Sequence, residues 1–578
     1  MTTTQLPAAR TGPAKQTTIG RLIGGPFVWV SRLVTLAFLA LLAFTVGGMV
    51  LRLLFDGGGV SAFESAMQGR GLFAALRNSG VLLLTAVPLA ILVSVVFAWL
   101  NERTDAAMGW MSRTLPLLPF FLPPVALAVG WYFLGAERSG FINSLLEWFF
   151  GLFGASSPWT VNIASWPGMI FAYVLYLVPY GYLIAAAALR NMDSAQEEAS
   201  RMSGAGAFRT ARKVSLPAIL PSIGSAALLI VFSALALYAI PVIIGSTARI
   251  TVLSVYIVRL VRALFPPRLE EAAVLSLFVF VVIGSVWLLQ RRLAKRAQHA
   301  MIGGRATGHS VVRLGKWKWV ARAAMIAYLA ATSVLPAAAL LLVALQPFWS
   351  RTIVWAELSL DNFRSLLVDD SVARQSLLTS SLLGVTGATL GMILAATMVV
   401  YGRQRGGWVD RLVDGTTKVP GAMSHVVIGV AFVVSLGAAP FYLQGTLLIL
   451  LLAYIVTYMP QASIAAGSAN DQIGRDLIEA SRMSGAASGR TFARINLPLM
   501  VPGLAAGWAL LFVRMVGDLT VTALLAGNQH PVVGYVILTI YEHGTYSTLA
   551  AMALAVTVVS GVLVGAVLAM SRRDTAWR

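Results

Sequence analysis

The stretch Glu198-Ala-Ser-Arg-Met-Ser-Gly204, which continues to Leu216-Pro217, has a near copy between Glu479 and Pro498. Aligned without gaps at an offset of 281 residues, the two 20-residue windows share 12 residues. Both windows are polar and lie between long apolar runs. A connector between membrane spans needs only solubility and reach, so a repeated sequence there indicates a surface that a partner outside the bilayer recognises.

The composition is that of a polytopic membrane protein. Of 578 residues, 58% are hydrophobic and 11% are charged, and the mean hydropathy is +0.79, far from the balance of a soluble domain. The absence of cysteine excludes disulfides, iron-sulfur clusters and thiolate metal sites. The five histidines are scattered without ligand spacing, so we expect no metal site in this chain.

Runs long enough to cross a bilayer of ~30 Å, about 20 helical residues each, occur twelve times. The first six lie at about 26–55, 78–100, 114–135, 167–189, 218–245 and 271–290. The second six lie at about 319–347, 376–401, 419–440, 445–467, 499–526 and 547–570. The first run is too long for the apolar core of a cleaved signal peptide and predicts an uncleaved span. The sequence therefore predicts an all-α fold of about 12 transmembrane helices.

Lysine and arginine are distributed unevenly among the loops. With the amino terminus inside, the cytoplasmic segments hold 29 of these residues, the external loops hold 10, and the spans hold the remaining four of 43. This bias predicts that both termini and both repeated windows are cytoplasmic. It also accounts for the net charge of +20 without a nucleic-acid partner.

Six spans return the chain to its starting side, so the two halves are predicted to be parallel repeats. The predicted divisions are a tail at 1–25, a first half at 26–290, a basic linker at 291–318, a second half at 319–570 and a tail at 571–578. The first half has about twenty extra residues after Gly135. This segment, within 136–166, is interpreted either as an external amphipathic helix on the membrane or as an ordinary loop with an apolar patch.

Each window has the pattern of a short helix followed by a turn. A glutamate and an arginine three residues apart can pair on one face, and an alanine and a methionine form an apolar face beside them. These residues are Glu198, Arg201, Ala199 and Met202 in the first copy and Glu479, Arg482, Ala480 and Met483 in the second. Gly204 and Gly485 supply the permissive backbone that ends the helix. Pro217 and Pro498 suit the first turn of the next span.

The two windows resemble the glutamate-alanine-alanine loop of permeases in bacterial binding-protein-dependent ABC importers. That loop has Glu-Ala-Ala, three residues, Gly, nine residues and Ile-x-Leu-Pro. The matching residues are Glu198, Ala199, Gly204, Val214, Leu216 and Pro217, and again Glu479, Ala480, Gly485, Ile495, Leu497 and Pro498. Both copies depart from the pattern at the third position, where Ser200 and Ser481 replace alanine, and Val214 replaces isoleucine.

The resemblance implies a type I importer permease in the bacterial inner membrane. Its loops would be coupling helices, at about 191–204 and 472–485, that dock on two copies of a cytoplasmic ATPase subunit, and a substrate-binding protein would dock outside. The chain has no Gly-x-x-x-x-Gly-Lys-Ser/Thr phosphate loop. ATP and magnesium would thus bind the partner subunits, and we expect no catalytic residue and no bound cofactor in this chain.

Charges inside spans are costly and mark a pathway, a pair or a structural contact. Arg514 and Asp518 lie four residues apart in the eleventh span, so they either line the path or neutralise each other. Their counterparts at the 281-residue offset are Ser233 and Leu237. Ser233 and the following Tyr238 are the first-half candidates for the path.

Three phrases favour a ferric-iron importer within this family. They are Ala239–Gly245, Arg249–Ile257 and Val536–Tyr541. Fused permeases for thiamine, 2-aminoethylphosphonate or polyamines share the architecture and stay as alternatives. An ion-driven secondary carrier could also have twelve spans in two parallel halves, but it would carry more intramembrane acids and would not need two matched cytoplasmic loops. A membrane enzyme is disfavoured because no nucleophile, base or metal set converges.

Overall fold

The computed structural model describes residues 26–55, 59–109, 119, 122–298, 311–484, 486 and 488–576. In these ranges the chain is almost wholly helical, apart from loops and an isolated β-bridge between Thr104 and Val312. The all-α prediction is thereby confirmed. The predicted tail at 1–25, residues 299–310 of the predicted linker and Gly485 of the second window lie outside these ranges.

The helices of the first half are labelled in chain order. They are α1 (Pro26–Phe55), α2 (Gly59–Gln68), α3 (Leu72–Arg103), α4 (Pro124–Gly135), α5 (Phe141–Gly151), α6 (Trp166–Asn191), α7 (Ser194–Met202), α8 (Ala207–Ala236), α9 (Leu253–Arg262) and α10 (Leu269–Gln298). A π-helical turn, Pro241–Gly245, lies between α8 and α9. Helix α10 continues eight residues past the predicted end of the first half at 290.

The second half largely repeats this order, without a counterpart of α5 and with a short helical segment, Asp361–Asp369, in the place of α2. Its helices are α11 (Trp317–Leu345), α12 (Ser371–Arg405), α13 (Gly407–Ala422), α14 (His425–Gly437), α15 (Leu447–Asp471), α16 (Arg475–Met483), α17 (Gly489–Val516), α18 (Thr520–Leu525), α19 (Val533–His543) and α20 (Tyr546–Ala576). The short helices α7 and α16 contain the start of the two repeated windows.

In the described part of the chain, ten helices are long and apolar enough to cross a membrane, and a bent pair raises the number to eleven. The predicted third span, at 114–135, is described mainly as the 12-residue apolar helix α4, because most of its first half lies outside the described residues. The predicted ninth span, at 419–440, is not one straight helix. It is formed by α13 and α14, which meet at an angle of 97°.

The same three-helix packing occurs in both halves. Helix α3 packs against α6 and α8, and α12 packs against α15 and α17 in the same way. Small residues allow these close approaches: Ser94 of α3 donates to the Val178 carbonyl of α6 at 2.9 Å. Since lipid gives helices no hydrophobic incentive to associate, such packing and hydrogen bonding supply the cohesion.

The first helix of each half packs across the boundary onto the other half. Helix α1 contacts α12 and α14, and α11 contacts α4. Gly130 of α4 makes the second crossing possible, because a Cβ at that position would lie 2.6 Å from Pro336 of α11. Hydrogen bonds from Trp131 to the Ala331 carbonyl, 2.8 Å, and from Tyr328 to the Leu175 carbonyl, 2.9 Å, add to it. The two halves therefore form one bundle.

The extra segment of the first half is an amphipathic helix, α5, rather than a loop. Its buried Asn143 donates to the Ala136 and Val161 carbonyls at 3.0 and 2.8 Å and accepts from the Val161 amide at 2.7 Å. The side of α5 and its following turn that faces away from the bundle exposes apolar residues, namely Leu145, Trp148, Phe149, Leu152 and Phe153. This arrangement suits a helix at a membrane interface.

Candidate functional site

The two repeated windows lie at the same end of the bundle. Helix α3, about 48 Å long at 1.5 Å per residue, ends at Arg103, whose side chain contacts α7. Helix α1 leads through α2 to the opposite end of α3, so the start of α1 lies at the Arg103 end. There Phe27 stacks on Phe492 of α17 with ring centroids 4.7 Å apart, which places α16 beside this end as well. We call α7 and α16 the docking helices, after the role that the resemblance of the two windows implies.

Backbone and side-chain caps fix both ends of α7. Asp193 accepts a hydrogen bond from the Ala195 amide at 2.9 Å, as expected of an N-terminal cap. At the other end Gly204 has a φ of +81°, and the Gly204 and Ala205 amides donate to the Arg201 and Ser200 carbonyls at 2.9 and 3.1 Å. This is a Schellman motif, which needs glycine at the left-handed position. Gly204 therefore ends α7 with a left-handed backbone conformation, as the sequence predicts.

The exposed faces of the docking helices carry the predicted residues. Glu198, Ala199, Glu479 and Ala480 are exposed, and Met202 and Met483 expose 91% and 89% of their surfaces. Arg201 is half-buried, and the side chain of Arg482 lies outside what the structure describes. Each of the two helices therefore presents one large apolar side chain to the outside at its tip.

A buried ion pair that the sequence did not predict anchors α7. Arg103 Nε lies 3.1 Å from Glu197 Oε2, and the two side chains are only 1% and 3% exposed. Ser215 of α8 donates to Glu197 Oε1 at 2.5 Å, and Arg103 also donates to the Leu189 carbonyl of α6 at 2.6 Å. The carboxylate that fixes this helix is therefore Glu197, one residue before the Glu198 of the repeated pattern.

The two serines that depart from the family pattern make equivalent contacts. The Ser200 and Thr210 hydroxyls are 3.1 Å apart, and the Ser481 and Thr491 hydroxyls are 2.8 Å apart. Each contact ties a docking helix to the first turn of the span that follows. Alanine at the third position could not make this hydrogen bond, so the paired substitution has a structural reason.

The span that follows each docking helix contains a π-helical turn near its start. These turns are Ala211–Ser215 and Phe492–Asn496. Pro217 and Pro498 follow two residues after these turns, inside the continuous helices α8 and α17 rather than at their starts. The expectation that they begin the next span is therefore corrected: each proline follows the π-helical turn of its helix.

Arg514 of α17 contacts the first half within the membrane. It donates from Nη1 to the Tyr176 hydroxyl at 2.5 Å and from Nη2 to the Tyr180 hydroxyl at 2.9 Å. Its guanidinium also lies 5.5 and 5.8 Å from the centroids of the two tyrosine rings, within the range of cation–π attraction. The two tyrosines are four residues apart on α6, and together they hold one charge at the boundary between the halves.

Asp518 has different partners, all in the second half. Its Oδ1 accepts from the Val521 and Thr522 amides at 2.7 and 3.3 Å, which caps α18. Its Oδ2 accepts from the Tyr458 hydroxyl at 2.8 Å and lies 3.8 Å from His425 Nδ1. Arg514 and Asp518 are therefore each held by their own set of side chains, and the two sets meet where the halves join.

The other two path candidates lie apart from this cluster. Ser233 is half-buried on α8, and Tyr238 is buried directly after it. Within the described residues, neither makes a hydrogen bond or ion pair with Arg514 or Asp518. No three His, Cys, Asp or Glu side chains in the described ranges come together as a metal site.

Several of these residues could not be identified from the sequence. Tyr176, Tyr180 and Tyr458 are ordinary aromatic residues of apolar spans. His425 lies directly after a bend that the sequence did not indicate. The one available signal was the four-residue spacing of Tyr176 and Tyr180, which places both hydroxyls on one face.

Comparison with known proteins agrees with this architecture. Residues 86–298 and 387–574 each match the family described as "binding-protein-dependent transport system inner membrane component". The chain is 22% identical over 463 residues to the ferric transport system permease protein FbpB of Actinobacillus pleuropneumoniae, covering 78% of this chain and 64% of that protein. It is 25% identical over 494 residues to the probable ABC transporter permease protein y4fN of Sinorhizobium fredii, covering 82% and 84%.

A shorter match is to a permease named for a different cargo. The putrescine transport system permease protein PotI of Escherichia coli is 26% identical over 178 residues, 30% of this chain and 63% of that protein. The chain spans slightly less than two thirds of the ferric permease FbpB of Actinobacillus pleuropneumoniae. The family match nevertheless covers more than half of the chain, once in each half. This protein, with its two repeated halves in one polytopic bundle, belongs to the family of binding-protein-dependent transport system inner membrane components.

Proposed function

We propose that this chain is the transmembrane permease subunit of an ATP-driven importer and forms its translocation path, with α7 and α16 as the coupling helices. Two copies of a cytoplasmic ATPase subunit would bind them, and a substrate-binding protein would deliver cargo at the opposite end. The observation that carries the proposal is the pair of docking helices at one end of the bundle, each with an exposed methionine at its tip. The lysine and arginine bias supports a cytoplasmic location for that end and for both termini.

The contacts of α7 provide a route for mechanical coupling. Arg103 belongs to α3, Ser215 to α8 and Leu189 to α6, so a displacement of α7 acts on three spans. In the second half the hydroxyl pair of Ser481 and Thr491 ties α16 to α17. Closure of the two ATPase subunits would move both helices, and the spans attached to them would alternate between two arrangements.

The boundary between the halves is where such a motion would open a path. Arg514 joins α17 to α6 through two tyrosine hydroxyls, and Asp518 lies one turn further along. Polar groups buried within spans line transport pathways or fix helix contacts. Separating α6 from α17 would break the tyrosine contacts and expose the guanidinium to the opening space.

Ferric iron is the cargo that we propose. The names of two relatives with about a fifth of their residues identical refer to ferric transport, and the three phrases noted in the sequence favour the same subgroup. Thiamine, 2-aminoethylphosphonate and polyamines are the alternatives, and one shorter match is to a putrescine permease. The binding protein selects the cargo, so the ligand of the binding protein encoded beside this chain is the decisive observation.

The coupling proposal is tested by co-purification. A tagged chain should retain the ATPase subunits, whereas the Glu198→Arg, Glu479→Arg double variant should retain at least about tenfold less, since each substitution reverses the charge of an exposed docking helix. Transport into proteoliposomes should stop. The control is Glu64→Arg with Glu357→Arg, the same charge change on exposed residues at the opposite end.

Unchanged ATPase retention and transport in the Glu198, Glu479 variant would contradict the assignment of α7 and α16. Transport by the purified chain alone, driven by an ion gradient, would instead establish a secondary carrier. The two outcomes can be distinguished, because transport by a secondary carrier would not depend on ATP in the Glu198, Glu479 variant or in its control.

A further inference from the structure

The end of the first half opposite the docking helices contains a large basic cleft. Its volume is about 930 Å³, and it lies between the turn joining α2 to α3, the loop before α9, and the start of α10. Four arginines line it, Arg70, Arg249, Arg259 and Arg268, together with the polar side chains Asn78 and Tyr256. We call this the arginine cleft.

Little negative charge within the described residues offsets these arginines. Glu271 is the carboxylate among the lining residues, and it pairs with Arg268 at 3.2 Å. No carboxylate of the described ranges lies within 4.0 Å of Arg70, Arg249 or Arg259. Arg259 instead has the Thr251 and Ser246 hydroxyls at 3.4 Å. Three guanidiniums therefore face the cleft without an acidic partner, which favours an anionic ligand.

The backbone at the cleft is shaped to bring these groups together. Gly69 and Gly71 flank Arg70, and Gly71 has a φ of +103°. A Cβ at Gly69 would lie 2.6 Å from the Tyr256 hydroxyl, so the turn passes directly against α9. Burial and the nearby Glu271 raise the pKa of Tyr256, and the phenol therefore stays available as a neutral donor.

The arginines of the cleft have no arginine counterparts at the equivalent positions of the second half. At the 281-residue offset, Arg249, Arg259 and Arg268 correspond to His530, Ile540 and Leu549. Arg70 corresponds to Ser371 at the offset of 301 that aligns Asn78 with Thr379. The repeat fold does not require these arginines, and the external loops otherwise hold few basic residues, so their concentration here needs a specific ligand.

The rim of the cleft is apolar and exposed. Phe265 is 100% exposed and Leu264 is exposed beside it, and α2 turns Val60, Phe63 and Met67 outward. Exposed apolar side chains next to arginines are typical of a helix end at a membrane interface. Arginine binds phosphate through paired, charge-assisted hydrogen bonds.

From this combination, we infer that the arginine cleft binds a phosphate group, supplied by the headgroup of an anionic phospholipid in the outer part of the bilayer. Soluble phosphate has the same chemistry, and the test separates the two sources. The site is separate from the polar cluster of Arg514 and Asp518, since all of its lining residues belong to the first half.

The test uses the full chain purified in a neutral detergent. Phosphatidylglycerol, phosphatidylcholine or inorganic phosphate is added, bound lipid is counted by native mass spectrometry, and the thermal unfolding midpoint is recorded. We expect phosphatidylglycerol to bind at least about tenfold more tightly than phosphatidylcholine. The Arg70→Gln, Arg249→Gln variant should lose this preference. The charge-matched control, Arg364→Gln with Arg374→Gln in the second half, should keep it.

Each result decides between the sources or against the site. A preference for phosphatidylglycerol that millimolar phosphate does not reduce identifies the lipid headgroup, and one that phosphate abolishes identifies a soluble anion. Equal binding of both lipids with no effect of phosphate overturns the inference, as does unchanged binding in the Arg70, Arg249 variant. If that variant unfolds, the single variant Arg70→Gln replaces it in the test, because Arg70 is exposed and its substitution should not disturb the fold.

Discussion

The two docking helices have the same shape but different anchors. Both end in an exposed methionine and both are tied to the next span by a serine and a threonine hydroxyl. The acidic residue of the buried pair, Glu197, directly precedes the first window, and Ile478 stands at the equivalent position before the second. Duplication has thus preserved the exposed surface while the attachment to the bundle has diverged.

A second comparison concerns an ion pair between two long spans, which also differs between the halves. In the first half Glu102 of α3 pairs with Arg190 of α6 at 3.6 Å. At the equivalent positions of the second half, Arg403 of α12 pairs with Asp471 of α15 at 3.4 Å. The charges are exchanged between the same two helices. Glu102 is only 10% exposed, whereas the other three side chains are 44–57% exposed. An ion pair depends on opposite charge and separation, so either arrangement satisfies the helix contact.

The largest expected effect comes from the buried anchor. Replacing Glu197 by alanine leaves Arg103 as an uncompensated buried charge, which should lower the free energy of unfolding by about 3–5 kcal/mol. Denaturation of the purified protein in detergent measures it. The control Asp471→Asn removes a partner of a half-exposed arginine and should cost less than about 1 kcal/mol. Equal losses would show that the two halves are anchored alike.

The next prediction concerns the polar cluster, which is charged only in the second half. Asp518→Asn keeps one acceptor oxygen but weakens the hydrogen bonds from Tyr458 and the start of α18, so transport should slow by about tenfold. Retention of the ATPase subunits should not change. Ser225→Ala is the control, since Ser225 is a half-buried residue of α8 whose hydroxyl donates to the Pro221 carbonyl of the same helix. A wild-type transport rate would assign Asp518 to structure alone.

A smaller effect is expected at the feature that the halves share. Ser200→Ala and Ser481→Ala each remove one hydroxyl contact and should each lower the free energy of unfolding by about 1 kcal/mol. The two variants should agree within about 0.5 kcal/mol. A clear inequality would mean that the equivalence of the two hydroxyl contacts is geometric but not energetic.

The smallest effect is expected for the ion pair of Glu102 and Arg190, whose charges are exchanged in the second half. The double variant Glu102→Arg, Arg190→Glu gives the first half the charge order of the second, and unfolding should change by less than about 0.5 kcal/mol. Thermal unfolding of the double variant and of both single variants gives a double-mutant cycle, which isolates the interaction between the two side chains. A large loss in the double variant would show that neighbouring charges fix the order.

Much of the fold followed from apolar length and repetition. The run at 26–55 coincides with α1, and the first docking helix, α7, lies within the predicted 191–204. The span predicted at 419–440 includes a bend that the sequence did not indicate, because the chain turns by 97° between α13 and α14. Hydropathy measures composition along the chain and contains no information on such a bend.

The sequence by itself determined the membrane class, the two repeated halves and the docking helices, because each depends on local composition or on a repeat of fixed offset. The tertiary structure decided which charges are partners. Arg103 and Glu197 are 94 residues apart in the chain yet 3.1 Å apart in space, and Arg514 finds its tyrosines 338 and 334 residues away. Such contacts depend on how helices cross, since a buried charge is stabilised by whichever polar groups the packing brings within reach.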